Sequence, residues 1–242
     1  MYGRYRASVT RRPLYGSHAW AFDAVVPAPD PSELRALAAA LRPARTVLDA
    51  GCGTGRLAAA LSRRHFALTG VDRSEELVAV ARQRAPGVRF EVGDLGSWGG
   101  GEQFDAVLCR GVLNDCITDG ERSAAVAGLR RSLRGGGLLV ADVRDWEPSA
   151  ARYRSEPVHE RRVETERGLV EFRSVTELEP ERRVLRVRER LTVDGAGTDN
   201  QFLMRCWTRA ELEAVLREAG FAELDFDALR PRRADRLTVV AR

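Results

Sequence analysis

The stretch that decides the fold is TVLDAGCGTGRLAAAL, from Thr46 to Leu61. An apolar run ends in Asp49, three glycines then alternate with small residues, and a pattern typical of a helix follows. Each glycine costs conformational entropy on folding, so this spacing predicts a turn that another group must approach closely. A strand, a glycine turn and a helix N-terminus together form a corner that can bind an anion or a nucleotide.

Two common glycine motifs do not fit this turn. A P-loop needs Lys followed by Ser or Thr after its last glycine, whereas Gly55 is followed by Arg56 and Leu57. A dinucleotide-binding fingerprint needs a third glycine three residues after the second, and counted from Gly53 that position holds Arg56. The pattern that remains is acid-x-Gly-x-Gly-x-Gly, which begins at Asp49.

Strands and helices are predicted to alternate around this turn. Nearly unbroken apolar runs predict strands at 46–51, 67–72, 88–95, 104–111 and 137–146, with helices between them. Such runs are typical of a parallel sheet that helices cover on both faces. A helix capped by Thr208 and Glu211 is predicted later in the chain, and short strands at 222–229 and 236–242 follow it.

From His159 to Trp207 the apolar pattern changes to a period near two. One side of the central run RVLRVRERLTV is apolar and comprises Leu185, Val187, Leu191 and Val193. This alternation predicts an antiparallel meander with one solvated face. Its apolar face needs a partner, which the rest of the chain, a ligand or a second subunit would supply, and a homodimer is the rival interpretation.

The glycine turn and the segments after it resemble the class I S-adenosylmethionine-dependent methyltransferases. The likeness runs in order from about residue 44 to 145, through Asp49, Asp72 and Asp94 at successive strand ends and then FDAVLCRGVLND and LRGGGLLVADV. The resemblance implies an α/β fold with a Rossmann-like, doubly wound, seven-stranded and mostly parallel sheet whose last strand is antiparallel. It also implies a small antiparallel β lid, inserted after the fifth strand.

The implied organisation has three parts. Residues 1–43 form an N-terminal flap and helix, residues 44–156 and 208–242 form the cofactor-binding domain, and residues 157–207 form the lid. The lid would cover the acceptor site, because it enters and leaves at the sheet edge where strands of this family hold their ligand.

The resemblance implies that S-adenosylmethionine is the cofactor and S-adenosylhomocysteine the product. In this family the acid at the position of Asp72 takes both ribose hydroxyls, the acid at Asp94 reaches the adenine amino group, and Leu95 lies beside the ring. The expected cofactor-binding residues are Asp49, Gly51, Cys52, Gly53, Gly55, Asp72, Arg73, Asp94, Leu95, Arg110 and Gly111.

Methyl transfer needs a nucleophile aligned with the S–CH3 bond and a site that excludes water. A general base is needed only when the acceptor is protonated. The catalytic candidates are Asn114 and Asp115, which follow the fourth strand and would otherwise cap the next helix, and His18. The candidates for acceptor binding are Tyr15, Trp20, Arg144, Trp146, His159 and Arg205, for which packing or a structural role is the competing interpretation.

Composition limits the partners. The chain has 242 residues, a formal net charge of +4 and no lysine, and its arginines are interleaved with glutamates, so it lacks the one-signed stripe of a nucleic-acid-binding surface. The fourth-strand motif has none of the prolines found in many methyltransferases of nucleic-acid bases. No apolar run is long enough to span a bilayer, no secretory signal is recognised, and a cytoplasmic protein is expected. The four cysteines are expected to be reduced, and no metal is expected.

The leading hypothesis is a methyltransferase that acts on nitrogen, oxygen or carbon of a small molecule, in specialised metabolism. One alternative is methylation of a protein or a structured RNA, which would favour an open, arginine-lined cleft. The other is a protein that uses bound S-adenosylmethionine structurally or for a cyclisation, without methyl transfer.

Overall fold

A computed structural model describes residues 12–62, 66–97, 103–230 and 233–242. Residues 1–11 of the predicted flap lie outside the described residues. The strands are β1 (Thr46–Ala50), β2 (Ala67–Asp72), β3 (Arg89–Val92), β4 (Phe104–Arg110), β5 (Leu133–Arg144), β6 (Val158–Thr165), β7 (Gly168–Glu179), β8 (Val184–Val193), β9 (Ala196–Arg205), β10 (Leu224–Asp225) and β11 (Arg236–Ala241). The α-helices are α1 (Phe22–Val25), α2 (Pro31–Ala40), α3 (Arg56–Leu61), α4 (Glu75–Arg84), α5 (Asp119–Arg131), α6 (Trp146–Ser155) and α7 (Arg209–Glu218).

Over these described ranges the strands form two sheets. The large sheet has seven strands in the order β10-β11-β5-β4-β1-β2-β3, and the inserted sheet has four in the order β6-β7-β8-β9. Strands β1 to β5 are mutually parallel, whereas β11 is antiparallel to both of its neighbours. The predicted fold class is therefore confirmed, including the antiparallel last strand and the separate antiparallel sheet.

Helices cover the large sheet on both faces. On one face, α3 and α4 pack against the sheet through side chains that include Leu61 and Val78. On the other, α5 and α7 pack through side chains that include Leu129 and Leu212. Because the parallel strands are buried on both sides, they are apolar along almost their whole length.

Side-chain caps fix where the helices begin. Asp30 accepts hydrogen bonds from backbone N–H groups at the start of α2. The predicted capping box of Thr208 and Glu211 is present at α7, and α5 begins with the same device at Thr118 and Glu121. Each box satisfies donors that the helix itself cannot.

The inserted sheet has the predicted alternation. Leu185, Val187 and Leu191 are buried on its inner face, and the arginines between them point outward. The chain itself covers this face, with the N-terminal segment (residues 12–26) on one part and α6 on another. The covering side chains are Leu14, Ala21, Val25, Trp146 and Ala150.

Several predicted boundaries were wrong. The third strand ends at Val92, because the chain then turns and the backbone N–H of Ser97 bonds to the carbonyl of Asp94. The segment predicted as a strand at 222–229 forms a strand only at Leu224–Asp225.

One helix was missed, and one strand was predicted only as part of the meander. The fifth strand ends at Arg144, and α6 follows it. This helix buries few apolar side chains, so its sequence has almost no periodic signal. Strand β6 lies within the segment predicted as a meander, but it is polar on both faces and mostly exposed, so its own bounds carry no clear signal.

Candidate active site

A cavity of about 400 Å³ lies at the carboxyl ends of β1, β2, β3 and β4. Parallel strands with helical crossovers place ligand sites at this edge. The lining includes these sequence-predicted residues: Tyr15, Gly51, Gly53, Asp72, Arg73, Asp94, Leu95, Arg110, Gly111 and Asp115. It also includes residues that sequence reasoning did not single out, among them Phe22, Leu77, Val112, Cys116, Ile117, Glu121, Ala124 and Leu203.

All three glycines of the turn have positive φ, and the space beside each of them differs. A Cβ on Gly51 would lie 2.1 Å from Cγ2 of Val112, so this glycine lets the turn pack against the segment after β4. A Cβ on Gly55 would lie 2.8 Å from that of Ala81, so this one packs the turn against α4. Gly53 has open space where its Cβ would be, and it faces the cavity.

Asp49 is a buried carboxylate at the end of β1. Its Oδ2 has no hydrogen-bond partner among the described residues. Burial raises the pKa of Asp49 to about 7, with a smaller opposing effect from Arg110 and a reinforcing one from Asp72. A buried acceptor without a partner is costly, so this group favours a cationic ligand nearby.

Asp72 both shapes the turn and faces the cavity. Its Oδ2 accepts a hydrogen bond of 2.9 Å from the backbone N–H of Gly53, and its Oδ1 accepts one of 3.0 Å from that of Ser74. Each carboxylate oxygen can accept a second bond, which leaves capacity for a diol. Burial raises the pKa of Asp72 above its usual range, and the backbone hydrogen bonds oppose that rise.

The other end of the cavity is formed after β3. Asp94 accepts a hydrogen bond of 3.0 Å from the backbone N–H of Gly96, and Leu95 lies next to it in the lining. A Cβ on Gly128 of α5 would lie 2.0 Å from the carbonyl oxygen of Leu95, so that glycine lets the helix approach this loop. The loop is thereby held against α5.

These residues fit S-adenosylmethionine. The cofactor carries two positive groups, a ribose diol and an adenine ring, and the cavity wall offers Asp72 and the Asp94–Leu95 loop. Asp49 does not itself line the cavity, but it lies buried two residues before Gly51, which does. The open space beside Gly53 gives the backbone a close approach to a ligand.

Beyond Asp72 the cavity reaches a charged and aromatic wall. Asp115 lies 3.6 Å from Arg73, and burial raises the pKa of this carboxyl group even though Arg73 and Arg12 oppose the shift. Burial also raises the pKa of Tyr15 to about 12, so its hydroxyl stays protonated at neutral pH. These groups can hold an acceptor or exchange a proton with it.

Several predicted site residues do not line the cavity. Asn114 is buried, and both ends of its amide are hydrogen-bonded: it donates to the carbonyl of Gly111 at 2.8 Å and accepts from the N–H of Arg144 at 2.8 Å. It therefore ties the end of β4 to the end of β5. Cys52 and Gly55 lie within the turn but outside the cavity lining.

The remaining candidates are placed by other contacts. Arg144 pairs with Asp235 at 2.8 Å, and Trp146 packs under the inserted sheet. Arg205 lies behind the cavity wall and donates to Asp119 at 2.7 Å. Three others also lie outside the lining. His18 is hydrogen-bonded to Ser17, and Trp20 packs on the N-terminal segment. His159 is exposed on β6, with its ring against Phe172.

The N-terminal segment is tied directly to the glycine turn. Thr54 donates a hydrogen bond of 2.7 Å to Asp23, and Arg56 pairs with the same carboxylate at 3.1 Å. Arg56 also donates to the carbonyl of Val26 at 2.8 Å. The sequence carried no local signal for this contact, because its partners lie about thirty residues apart.

Comparison with known proteins agrees with this geometry. Residues 47–137 match the family model of the methyltransferase domain. These residues form a methyltransferase domain, and the fold of the chain is that of S-adenosylmethionine-dependent methyltransferases.

Individual methyltransferases resemble this chain over different lengths. The trans-aconitate 2-methyltransferase of Delftia acidovorans is 32% identical over 109 residues, which are 43% of this chain and 40% of that protein. The chain spans less than half the length of the curated relatives it matches. Two solved structures match over most of the chain. CalS10, an amino pentose methyltransferase from Micromonospora echinaspora, is 26% identical with a TM-score of 0.67, covering 100% of this chain and 96% of its own. The sugar N-methyltransferase KedS8 from Streptoalloteichus is 25% identical with a TM-score of 0.71, covering 87% and 84%.

Two features are absent from the described part of the chain. None of its helices there is long and apolar enough to cross a membrane. Nor do the described residues bring together three or more His, Cys, Asp or Glu side chains in a way that could hold a metal ion.

Proposed function

We propose that the protein binds S-adenosylmethionine in this cavity and transfers its methyl group to nitrogen, oxygen or carbon of a small molecule. The observation that carries the proposal is the part of the cavity wall that comes from outside the large sheet. Tyr15 of the N-terminal segment and Leu203 of the inserted sheet both line the cavity, so two segments outside the large sheet cover the strand ends. A covered space of about 400 Å³ suits a small ligand better than the surface of a protein or RNA.

Different residues would bind different parts of the cofactor. Asp72 would hold the ribose hydroxyls, and the Asp94–Leu95 loop would hold the adenine. Asp49 would balance positive charge. When bound, S-adenosylmethionine supplies a methyl group that its sulfonium already activates, so the protein need only align the acceptor and exclude water.

Asp115 is the group best placed to act on the acceptor. It faces the cavity and is half-buried, and its raised pKa brings it closer to the range in which a carboxylate can take a proton at neutral pH. Its partner Arg73 would keep it oriented at 3.6 Å. Methyl transfer to an amine or a hydroxyl would release one proton, and Asp115 would accept it.

The covering segments would set the choice of acceptor. The solved structures that resemble the chain include methyltransferases named for amino sugars, and a curated relative is named for trans-aconitate, so their acceptors differ in charge. This variety supports a small-molecule acceptor in specialised metabolism without selecting one. In this proposal residues 157–207 act as a lid, whose outer face of arginines and glutamates stays in solvent.

The test uses two glycines with similar backbones. Gly53 and Gly136 have φ of +55° and +73°, and neither has a heavy atom within 4 Å of the position that a Cβ would take, but Gly136 lies outside the cavity lining. Valine at either position costs about 1–3 kcal/mol of backbone strain. Calorimetry should show that Gly53→Val abolishes S-adenosylmethionine binding, whereas Gly136→Val preserves it.

A wild-type protein that binds no S-adenosylmethionine would refute the proposal. Binding without formation of S-adenosylhomocysteine, across a panel of amines, hydroxy compounds and carboxylates, would instead favour the non-methylating use of the cofactor.

A further inference from the structure

Arg12 joins the N-terminal segment to the inserted sheet. Its Nε donates a hydrogen bond of 2.7 Å to Oε2 of Glu189, and its Nη2 bonds to the other carboxylate oxygen. Glu189 is only 6% exposed and projects from the inner face of β8, between Val187 and Leu191. A charged residue at that position breaks an otherwise apolar row.

The guanidinium of Arg12 also lies between two aromatic rings. Its Cζ is 4.6 Å from the ring centroid of Tyr15 and 4.3 Å from that of Phe202. Tyr15 lines the cavity, and the next residue after Phe202, Leu203, does so too. The arginine therefore contacts one residue that lines the cavity, Tyr15, and one residue, Phe202, whose neighbour Leu203 lines it from the other face of β9.

The energetics of buried ion pairs indicate that the Arg12–Glu189 pair does not serve mainly to stabilise the fold. Removing two charges from water costs several kcal/mol per ion, and well-packed apolar residues often serve stability as well or better. The apolar side chains around the pair, which include Leu14, Val187 and Leu191, already join the two segments. The pair instead fixes the orientation of the Arg12 side chain, because Arg12 makes a bidentate contact with Glu189 and stacks against two aromatic rings.

We propose that Glu189 and Arg12 are positioning residues, which hold the ring of Tyr15 in the cavity and so set the wall against which cofactor and acceptor bind. Glu189 touches neither the cavity nor its contents and acts through Arg12. The inference rests on the proposed function, since it assigns the cavity to S-adenosylmethionine and its acceptor.

The two carboxyl groups that interact with Tyr15 from the cavity side, Asp72 and Asp115, explain why its placement matters. A neutral hydroxyl can donate a hydrogen bond to a carboxylate or to an acceptor atom, but only from a fixed position. If the N-terminal segment moves, that donor leaves the cavity and the cofactor edge opens to water.

The test compares a buried pair with an exposed one in the same sheet. The variants are Glu189→Gln, Arg12→Met and the double variant, which leaves no unpaired charge and is the one to use if a single variant fails to fold. The control is Glu160→Gln with Arg173→Met, an exposed outer-face pair at 2.8 Å. Two quantities are measured: amide hydrogen exchange of residues 13–25 without ligand, and the dissociation rate of S-adenosylmethionine.

We expect exchange in residues 13–25 and cofactor dissociation both to accelerate by about tenfold or more in the Glu189 and Arg12 variants, with exchange in β1, β4 and β5 unchanged. The control should match the wild type in both. Unchanged exchange in residues 13–25 would overturn the proposal, and so would faster exchange with an unchanged dissociation rate.

Failure of the proposed function would look different. If the wild type does not bind S-adenosylmethionine, the proposed function fails by itself, and the exchange measurement alone then decides whether the pair holds Tyr15. Uniformly faster exchange across the large sheet would mean general destabilisation and would overturn the positioning role.

Discussion

Asp49 is the residue whose ionisation should be easiest to observe. Burial raises its pKa to about 7 in the folded protein, above the usual value for an aspartate. The folded state therefore favours the protonated form. The contribution of Asp49 to stability without ligand is present at pH below about 4 and is lost as the pH rises toward 7. Ligand binding should show the opposite dependence.

We expect S-adenosylmethionine affinity to rise by up to about tenfold between pH 6 and pH 8, as Asp49 ionises and can balance positive charge. Calorimetry at several pH values measures this rise. Asp49→Asn should bind more weakly and lose the pH dependence. Asp105→Asn is a suitable control, because Asp105 lies at the start of β4 and its hydrogen bonds hold its pKa well below that range. Equal pH dependence in wild type and Asp49→Asn would contradict the assignment.

Asp115 makes a separate prediction about chemistry. Asp115→Asn keeps the size of the side chain but cannot take a proton, so we expect S-adenosylhomocysteine formation with an amine or hydroxyl acceptor to fall by about 10²–10⁴-fold. Cofactor affinity should change little, because Asp72 and Asp94 remain. A variant with normal turnover would show that the acceptor needs no base from this carboxylate.

At the scale of elements, the inserted sheet and the N-terminal segment form one packed unit. Phe172 of β7 is 7% exposed and belongs to a cluster with Leu14, Val25 and Leu191. Neither segment could bury its apolar side chains alone, so each depends on the other. The meander therefore does not need a second subunit to cover this face.

Phe172→Ala should lower the free energy of unfolding by about 3–5 kcal/mol, because it removes a ring from that cluster and leaves a cavity. The neighbouring Arg173 points into solvent, so Arg173→Ala should change the free energy of unfolding by less than about 0.5 kcal/mol. Denaturant unfolding of both variants measures the difference. Similar losses in the two would mean that the cluster contributes little.

At the scale of the whole molecule, the large sheet and the segments that cover it meet at the carboxyl ends of the parallel strands. The large sheet brings the ends of β1, β2, β3 and β4 together, and the N-terminal segment and inserted sheet are placed over them. Residues far apart in sequence thus line one cavity, from Tyr15 to Leu203. The bonds of Asp23 to the glycine turn hold the first of these covering segments in place.

The sequence by itself determined the elements and the cofactor edge. Local rules act there: apolar runs define buried strands, caps such as Thr208 and Glu211 define helix starts, and glycines at fixed spacing define a turn. Asp49, Gly53, Asp72 and Asp94 follow directly from those elements, since each lies in or just after a strand end. Boundaries with weak periodicity, such as those of α6 and β6, were not predictable in this way.

Only the tertiary structure decided what each of these groups does. Asn114 and Asp115 are neighbours in sequence but have different roles. The side chain of Asn114 is hydrogen-bonded between the ends of β4 and β5, whereas Asp115 faces the cavity. The tertiary structure also brings Arg12 to Glu189, 177 residues away. Such pairings depend on how separate segments pack, and no local pattern of residues encodes a contact whose energy arises only when both partners are buried together.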